Sequence, residues 1–378
     1  FERGKGMDFS LNDMQQMMQD SASRFIANEY DFETRRKLAD SELGFSEHNW
    51  QTFAELGWLA LMVPEEYGGL GGTIQDAIVL QEKLGKGMVV EPFFSTVILS
   101  ANLINKAGSS EQKDALLSKI AGGTLKVALA HGELEASGSV SSIGTEAVKE
   151  GNGYVINGRK QFVLNANASD LLLISARTSD NGQSGISVFV VPTDSAGLTR
   201  KDYKANDGSS ASNLTIEQLY VDADAVLGQF NLAADAVEET LAEGIVALSA
   251  EAVGVMETLL EKTNEYVKTR KQFDRAIGSF QVIQHRLADM FIEKEMSRSM
   301  LYYSVLEPTN AGEAKRAASM LKVKIGNAGR LVGQSAVQLH GGMGISDELD
   351  VGHYFKRLTS LNTQMGSRDW HLNALISS

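Results

Sequence analysis

The 378-residue chain contains no cysteine, which excludes disulfide bonds, thiolate nucleophiles and metal sites with cysteine ligands. It has four prolines, and so few helix-breaking residues favour long helices. No apolar run is long enough to span a bilayer, and no secretory signal follows Met7, so a cytoplasmic protein without membrane contact is expected. The fold prediction begins at Met7, because the residues before it resemble an added tag.

Positive charge is also scarce: 35 basic residues face 48 acidic ones, for a formal net charge of -13. Such a field repels polyanions, so nucleic acid is not an expected partner. The hydrophobic fraction of 43% and the charged fraction of 22% predict a folded chain with a sizeable core. The length allows two or three domains.

Hydrophobic spacing divides the chain into three parts. Residues 7–126 are predicted to form an N-terminal helical domain, because apolar residues recur there at three- and four-residue steps. Residues 127–224 carry alternating or continuous apolar runs between turn residues and predict a middle β domain. The helical period returns in residues 225–378, where long stretches joined by short links predict a C-terminal four-helix bundle. The class is therefore mainly α with a central β domain.

Two local predictions follow from this pattern. The Asn157-Gly158 dipeptide is a strong hairpin signal, and it predicts a turn between strands at 154–156 and 161–164. The last helix of the bundle is predicted to run without a break over about 351–375.

Common catalytic motifs are missing from the sequence. It has no Gly-x-Ser-x-Gly elbow and no Walker loop. The glycine runs at 68–72 and 341–344 do not lie between a strand and a helix, so a Rossmann fold is not predicted. The six histidines lack metal-ligand spacing, so no metal site is expected.

Three segments carry more information in combination. They are Pro-Glu-Glu-Tyr-Gly-Gly at 64–69, Arg-Lys-Gln-Phe at 270–273 and Gln-Leu-His-Gly-Gly-Met-Gly at 338–344. In this order, across helical, β and helical parts, they resemble the acyl-CoA dehydrogenase family over essentially all of the chain from Met7. The resemblance implies a β-barrel-like middle domain, an FAD cofactor and α,β-desaturation of an acyl-CoA thioester. The segments at 53–58, 268–273 and 351–358 look like the small subunit of pimeloyl-CoA dehydrogenases.

The resemblance also implies cofactor contacts. FAD carries a diphosphate, which suits a planar guanidinium such as that of Arg270. Further expected contacts with the nucleotide are Gln272, Phe273, Gln281, Gln338, Gly341 and Gly342. In the family the arginine reaches the FAD of a neighbouring subunit, which requires at least a dimer. Without the resemblance, the cluster around Arg270 would be interpreted as a solvated basic face.

The catalytic base of the family is missing at both of its known positions. One branch carries it in a Glu-Gly-Thr turn, where Met365 stands here. Another branch carries it on the helix before the arginine motif, where Gly244 stands here. Glu243 is the best remaining candidate, but one helical step turns it about 100° away, and a solvated role beside Glu238, Glu239 and Glu257 is favoured for it. Asp369 is a weaker candidate.

The flavin side of the family site has changed as well. The family loop Thr-Glu-Pro-x-x-Gly-Ser-Asp would fall near 130–139, where the sequence differs. A family threonine that hydrogen-bonds the flavin corresponds to the segment 162–164, which has no hydroxyl. Residues for the flavin ring and for proton abstraction are therefore lost, whereas those for a neighbour's FAD remain.

Three hypotheses are compatible with these residues. The chain is the base-lacking small subunit of a hetero-oligomer with a large acyl-CoA dehydrogenase subunit. Alternatively it is a self-sufficient dimer or tetramer with a displaced base, or a non-catalytic scaffold of the same fold. The retained Arg270 motif argues against the scaffold.

Overall fold

The structure, a computed structural model, describes residues 10–134, 140–179 and 185–377. Across these ranges helices come first, a sheet follows and long helices complete the chain, which confirms the predicted fold class. The individual limits assigned above to the three domains stay a prediction. Within the described ranges, no helix combines the length and apolarity needed to cross a membrane.

The N-terminal helices begin at well-formed caps. Asn12 and Gln15 form a reciprocal capping box at the first helix, and Thr73 and Asp76 form another at the fourth. Buried aromatic rings, with Phe53 and Trp58 at 4.5 Å between centroids, fill the space between these helices. The elements are α1 (Asp13–Glu29), α2 (Phe32–Asp40), α3 (Glu47–Glu55), α4 (Ile74–Gly87), a π-helical segment (Phe94–Ala101) that continues into α5 (Asn102–Ala107), and α6 (Ser110–Ala121).

The middle of the chain forms a curled sheet with its own apolar core. The strands are β1 (Val127–Ala130), β2 (Glu146–Glu150), β3 (Gly153–Leu164), β4 (Leu171–Arg177), β5 (Ile186–Pro192), β6 (Leu198–Lys204) and β7 (Ser210–Asp222). Neighbouring strands follow the order β1-β4-β2-β3-β7-β6, and β5 pairs with β4. The pairs β1·β4 and β2·β4 are parallel and the other pairs are antiparallel.

The predicted hairpin at Asn157-Gly158 is wrong. Those residues lie inside the continuous strand β3, where the pairing with β7 shifts register between Ile156 and Gly158. The turn lies earlier instead, between Glu150 and Gly153, where Gly151 adopts a left-handed φ of 57°. The Asn157 side chain accepts a hydrogen bond from the Gln218 backbone N–H at 2.8 Å, so Asn157 bridges two strands.

The C-terminal bundle is built on a long central helix, α7 (Ala234–Thr269). A short hairpin, β8 (Lys271–Gln272) and β9 (Arg275–Ala276), follows it. The remaining helices are α8 (Gln281–Leu306), α9 (Ala311–His340), α10 (Asp350–Thr363) and α11 (Arg368–Ser377). Helix α7 also packs on α4 of the N-terminal part. There a β-carbon added at Gly254 would stand 1.9 Å from the Glu82 carbonyl, so only glycine allows this approach.

A buried ionic network joins all three parts of the chain. The Arg357 guanidinium on α10 donates to Glu251 of α7 at 2.6 Å and to Asp207 of the β domain at 2.7 Å. Arg35 of α2 donates to the backbone carbonyls of Asp207 and Met88. Because each buried charge has a partner, the network fixes the relative positions of these parts.

The last predicted helix is broken, contrary to the expectation of a continuous helix over 351–375. Helix α10 ends at Thr363 and α11 begins at Arg368. Between them Met365 and Gly366 adopt left-handed φ values of 56° and 92°, which no α-helix can contain. Because of this break, Met365 lies in a turn, and its side chain points towards α7.

Candidate active-site cleft

A cleft of ≈ 670 Å³ opens where the three parts of the chain meet. This volume is within the range of small-molecule sites. The π-helical segment and β1 contribute Phe94, Leu99 and Leu129, whereas the bundle contributes Ile245 and the turn at Met365. The cleft is therefore a compartment shared by all three parts, and it exists only in the assembled fold.

The two positions that the resemblance leads us to expect for the family base, Gly244 and Met365, meet beside the cleft, and Met365 forms part of its wall. Gly244 lies on α7, and the Met365 side chain reaches it from the turn after α10. A β-carbon added at Gly244 would stand 2.8 Å from both Met365 Cε and Leu99 Cδ2. Glycine, thioether and leucine present no group that can accept a proton, so this wall cannot perform general-base chemistry.

Buried donors hold the turn that carries Met365. Lys322 on α9 donates from Nζ to the carbonyls of Leu361 at 2.5 Å and Gln364 at 2.6 Å. His371 on α11 donates from Nε2 to the Met365 carbonyl at 2.9 Å. These bonds satisfy carbonyls that the end of α10 leaves unpaired, so the turn is fixed.

Burial also sets the protonation of these two side chains. It lowers the pKa of Lys322 to about 7 and that of His371 to about 4. A neutral imidazole with Nε2–H facing a carbonyl has its acceptor at Nδ1, where Ser319 Oγ lies 3.1 Å away and can donate. At neutral pH His371 is therefore an uncharged wall residue.

The loop after β1 forms another part of the cleft wall, and a buried ion pair holds it in place. Glu133 accepts from Lys160 Nζ at 2.6 Å and from the backbone N–H groups of Gly144 and Thr145. Burial alone would raise the pKa of Glu133, but the Lys160 ammonium outweighs it and lowers that pKa. Burial lowers the pKa of Lys160 to about 8. Glu133 is thus a paired anion that positions the loop.

A second ion pair lies towards the outside of the cleft. Lys315 of α9 and Glu238 of α7 both line it, with Nζ 2.8 Å from Oε2. The Lys315 side chain is 56% exposed, whereas Leu99 and Ile245 deeper in the cleft are 6% exposed. The cleft therefore has an apolar floor and a charged mouth.

The segment that replaces the family threonine lies at the cleft. Phe162 and Leu164 both line it, and Leu164 offers only methyl groups. The nearby loop expected at 130–139 is described only in part: His131 and Gly132 line the cleft, and residues 135–139 lie outside the described residues.

Glu243 lies on another face of α7 from Gly244. Its carboxylate accepts from Asn102 and, at 3.1 Å, from Lys106 Nζ. Both partners belong to α5, so these contacts join α7 to the N-terminal helices. Asp369 stands in the first turn of α11 and pairs with the adjacent Arg368 at 3.0 Å. Neither carboxylate is among the side chains that line the cleft.

The residues expected to contact FAD lie together at the far end of the bundle. Arg270 ends α7 and precedes the short hairpin, whereas Gly341 follows α9. The two ends touch through Tyr266 and His340, whose rings stack at 4.3 Å. The exposed residues at this end include Arg270, Gln272, Phe273, Gln281, Gln338, Gly341 and Gly342.

The chemistry of this surface suits a nucleotide cofactor. Phe273 is 86% exposed, which is unusual for a phenyl ring and leaves a flat apolar face open. Gly341 has a left-handed φ of 62°, and a β-carbon added there or at Gly342 would meet nothing within 4 Å. A guanidinium, a phenyl ring, side-chain amides and exposed backbone can each contact part of a dinucleotide, and all of these groups face outward.

Several cleft residues were not identified from the sequence. Lys315 and His371, which line the cleft, are far from the motifs in the chain, and so is Lys322, which holds the turn at Met365; single lysines or histidines carry no pattern. One signal was available: Trp370 and Ala374 are four residues apart and therefore share the face of α11 that lines the cleft.

Three family models match consecutive parts of the chain. The acyl-CoA dehydrogenase N-terminal domain matches residues 12–124, the middle domain residues 128–220 and the C-terminal domain residues 234–378. Among the curated relatives, the probable acyl-CoA dehydrogenase YngJ of Bacillus subtilis is 33% identical over 91% of this chain and 92% of its own length.

Solved structures agree with this assignment. The butyryl-CoA dehydrogenase of Megasphaera elsdenii superposes with a TM-score of 0.88 at 27% identity, over 98% of this chain and 99% of that one. The ChsE4-ChsE5 complex of Mycobacterium tuberculosis superposes with a TM-score of 0.88 at 25% identity, over 98% of both chains.

Proposed function

The chain belongs to the acyl-CoA dehydrogenase family, and we propose that it is the base-lacking small subunit of a hetero-oligomeric acyl-CoA dehydrogenase. Members of the family are FAD flavoproteins that oxidise CH–CH groups. In the proposed assembly a large subunit of the same family abstracts the α-proton of the acyl-CoA thioester. This chain completes the FAD site of that subunit.

The observation that carries the proposal is the apolar contact between Gly244 and Met365. The two positions matched to the base of the family contact each other beside the cleft, and neither offers a carboxylate. Abstraction of a weakly acidic α-proton needs such a group. The carboxylates that do line the cleft, Glu133 and Glu238, are paired with lysines, so in this proposal a partner supplies the base.

The outward-facing end of the bundle gives the second support. When bound, FAD supplies the hydride acceptor of the reaction. Arg270 would hold its diphosphate, and Gln338 with the Gly341-Gly342 turn would approach the nucleotide. Phe273 would pack against a flat face of the cofactor. Because these groups are exposed in the single chain, a neighbouring subunit can use them.

The similarity to a two-protein complex is the third support. The ChsE4-ChsE5 complex pairs two different chains, and this chain shares its fold over nearly its full length. A chain of this fold is therefore found in a complex of two differently named proteins.

The test is the visible spectrum of this chain alone and after co-purification with a co-expressed family member from the same genome. Under anaerobic conditions each sample receives a panel of acyl-CoA thioesters. We expect flavin absorbance and bleaching by substrate in the pair. Bleaching at a comparable rate by this chain alone would overturn the proposal and establish a self-sufficient dehydrogenase.

A further inference from the structure

We propose that a small polar cavity between the three parts of the chain is a binding site for water, and that Gln81 accepts a hydrogen bond from the bound molecule. Arg35 of the N-terminal part, Ser209 of the β domain and Arg357 of the bundle all line this cavity. It lies beside the buried ionic network and not at the charged mouth of the cleft. The site therefore belongs to the junction between the three parts of the chain.

Gln81 directs its side-chain amide to this cavity and has one atom that lacks a partner. The residue lies on α4, lines the cavity and is 3% exposed. Its Nε2 donates to Glu251 Oε2 at 3.1 Å, which fixes the orientation of the amide, because a carboxylate accepts from the nitrogen and not from the oxygen. Gln81 Oε1 is buried, and no hydrogen-bond donor contacts it among the described residues. Since a buried acceptor without a donor is destabilising, a bound donor is favoured at this point.

The size of the cavity limits the bound molecule. The cavity measures ≈ 40 Å³, whereas sites for organic ligands usually measure about 300–1,000 Å³. One buried water requires about 10–15 Å³, so the cavity accommodates about three. Only water and ions of similar size are therefore compatible with the volume.

The lining offers a water molecule donors as well as the Gln81 acceptor. Arg357 bonds Glu251 through Nε and Asp207 through Nη1, and its guanidinium carries two further N–H groups on Nη2. Arg35, at 3% exposure, is a second guanidinium in the lining. Water can accept a hydrogen bond from a guanidinium while it donates to Gln81 Oε1. Two to four polar partners of this kind are typical of buried water.

The charges around the cavity favour a neutral molecule over an ion. Arg357 contacts the carboxylates of both Asp207 and Glu251, and Arg35 donates to the Asp207 backbone carbonyl, so two guanidinium groups balance two carboxylates. The other carboxyl group in the lining, Glu91, already accepts two hydrogen bonds from neutral donors, and burial raises its pKa. The described lining therefore presents no excess of charge that would compensate the desolvation of an ion.

Crystals of the full chain, at a resolution that shows ordered water, test the site. We expect a density peak at hydrogen-bond distance from Gln81 Oε1. Crystals soaked in bromide or in rubidium distinguish water from an anion and from a cation, because both ions scatter anomalously. The peak should show no anomalous signal in either soak. An anomalous peak, or no peak at hydrogen-bond distance from Gln81 Oε1, would overturn the inference.

Gln81→Met tests the role of the amide, because it keeps the length of the side chain and removes the acceptor. Gln75→Met is the matched control, since Gln75 lies on the same helix and donates to the Val305 carbonyl outside the cavity. The density peak should be lost in Gln81→Met and kept in Gln75→Met. A peak that stays in Gln81→Met would show that Gln81 does not hold the water.

Magnetic relaxation dispersion of water oxygen-17 measures the same loss in solution. The amplitude from long-lived internal water should be lower for Gln81→Met than for the wild type and Gln75→Met, and equal amplitudes would contradict the assignment. Circular dichroism checks that the variants fold, and the wild-type crystals decide the question if Gln81→Met does not. None of these results bears on the flavin spectrum of the co-purified pair, which tests the proposed function separately.

Discussion

Met365 in the turn after α10 packs directly onto Gly244 of α7, with its Sδ only 3.1 Å from where a Gly244 β-carbon would stand. The resemblance to the family leads us to expect the catalytic base of two branches at these positions. Their contact brings both expected positions to one place in the fold. In this chain both residues are apolar, and the Met365 side chain occupies the space that a side chain at position 244 would need.

The contact predicts that substitutions at the two positions are coupled. Gly244→Ala gains about 1 kcal/mol of helix propensity, but its β-carbon displaces the tips of Met365 and Leu99. We expect little net change in the free energy of unfolding in the wild type and a partial gain of about 0.5 kcal/mol in a Met365→Ala background, where Leu99 still opposes the β-carbon. Urea denaturation of the four variants measures the coupling.

A matched control for this cycle is Gly329→Ala on α9. A β-carbon there meets Leu358 at an ordinary 3.5 Å, so its effect should add to that of Met365→Ala. Additive behaviour of Gly244 and Met365 would contradict the packing described above.

Glu243 is predicted to be dispensable for catalysis in the co-purified pair. Its carboxylate bonds Asn102 and Lys106, so Glu243→Gln should leave the turnover rate almost unchanged and lower the free energy of unfolding by about 0.5–1 kcal/mol. Steady-state kinetics measure the turnover rate, and urea denaturation measures the free energy of unfolding. A loss of about 100-fold in turnover would instead identify Glu243 as a general base.

Arg270 is predicted to act on the cofactor and not on this chain's stability. It is exposed at the end of α7, so Arg270→Ala should change the free energy of unfolding of the single chain by less than about 0.5 kcal/mol. The co-purified pair should lose FAD, measured as flavin per protein after gel filtration. Lys268→Ala removes a nearby exposed cation, paired with Glu265, and should keep the flavin. Equal flavin retention in both variants would show that Arg270 does not hold the cofactor.

His371 predicts a pH dependence of stability. Burial lowers its pKa to about 4 in the folded chain, from a usual value near 6.5. Between these values the unfolded chain binds more protons, so this contribution to stability is present above pH 6.5 and lost as the pH falls through 4. Protonation of His371 should lower the free energy of unfolding by about 3 kcal/mol.

Urea denaturation between pH 4 and 7 measures this effect. His371→Gln should flatten the profile, whereas His285→Gln, at an exposed histidine, should keep the wild-type profile. If the free energy of unfolding of His371→Gln still falls steeply between pH 7 and 4, other groups control the loss of stability in acid.

The order of helices, sheet and helices followed from the sequence because it depends on local periodicity, which every segment carries in its own residues. The caps at Asn12 and Thr73 are equally local, because each joins a side chain to the backbone two or three residues away. The Arg270 and Gly341-Gly342 motifs also identified the family, because their spacing is a property of the chain alone. Local and short-range information was sufficient for these features.

The tertiary structure decided the rest. Asn157-Gly158 has the composition of a turn, but pairing of β3 with β7 across the sheet keeps it extended. The last helix breaks at Met365 because Lys322 and His371, from other helices, bind the carbonyls released there. Gly244 meets Met365, and Lys315 meets Glu238, only when α7, α9 and the turn after α10 pack together. Such contacts join residues that are distant in the chain, and no local pattern encodes them, so the cleft becomes visible as one site only in the folded molecule.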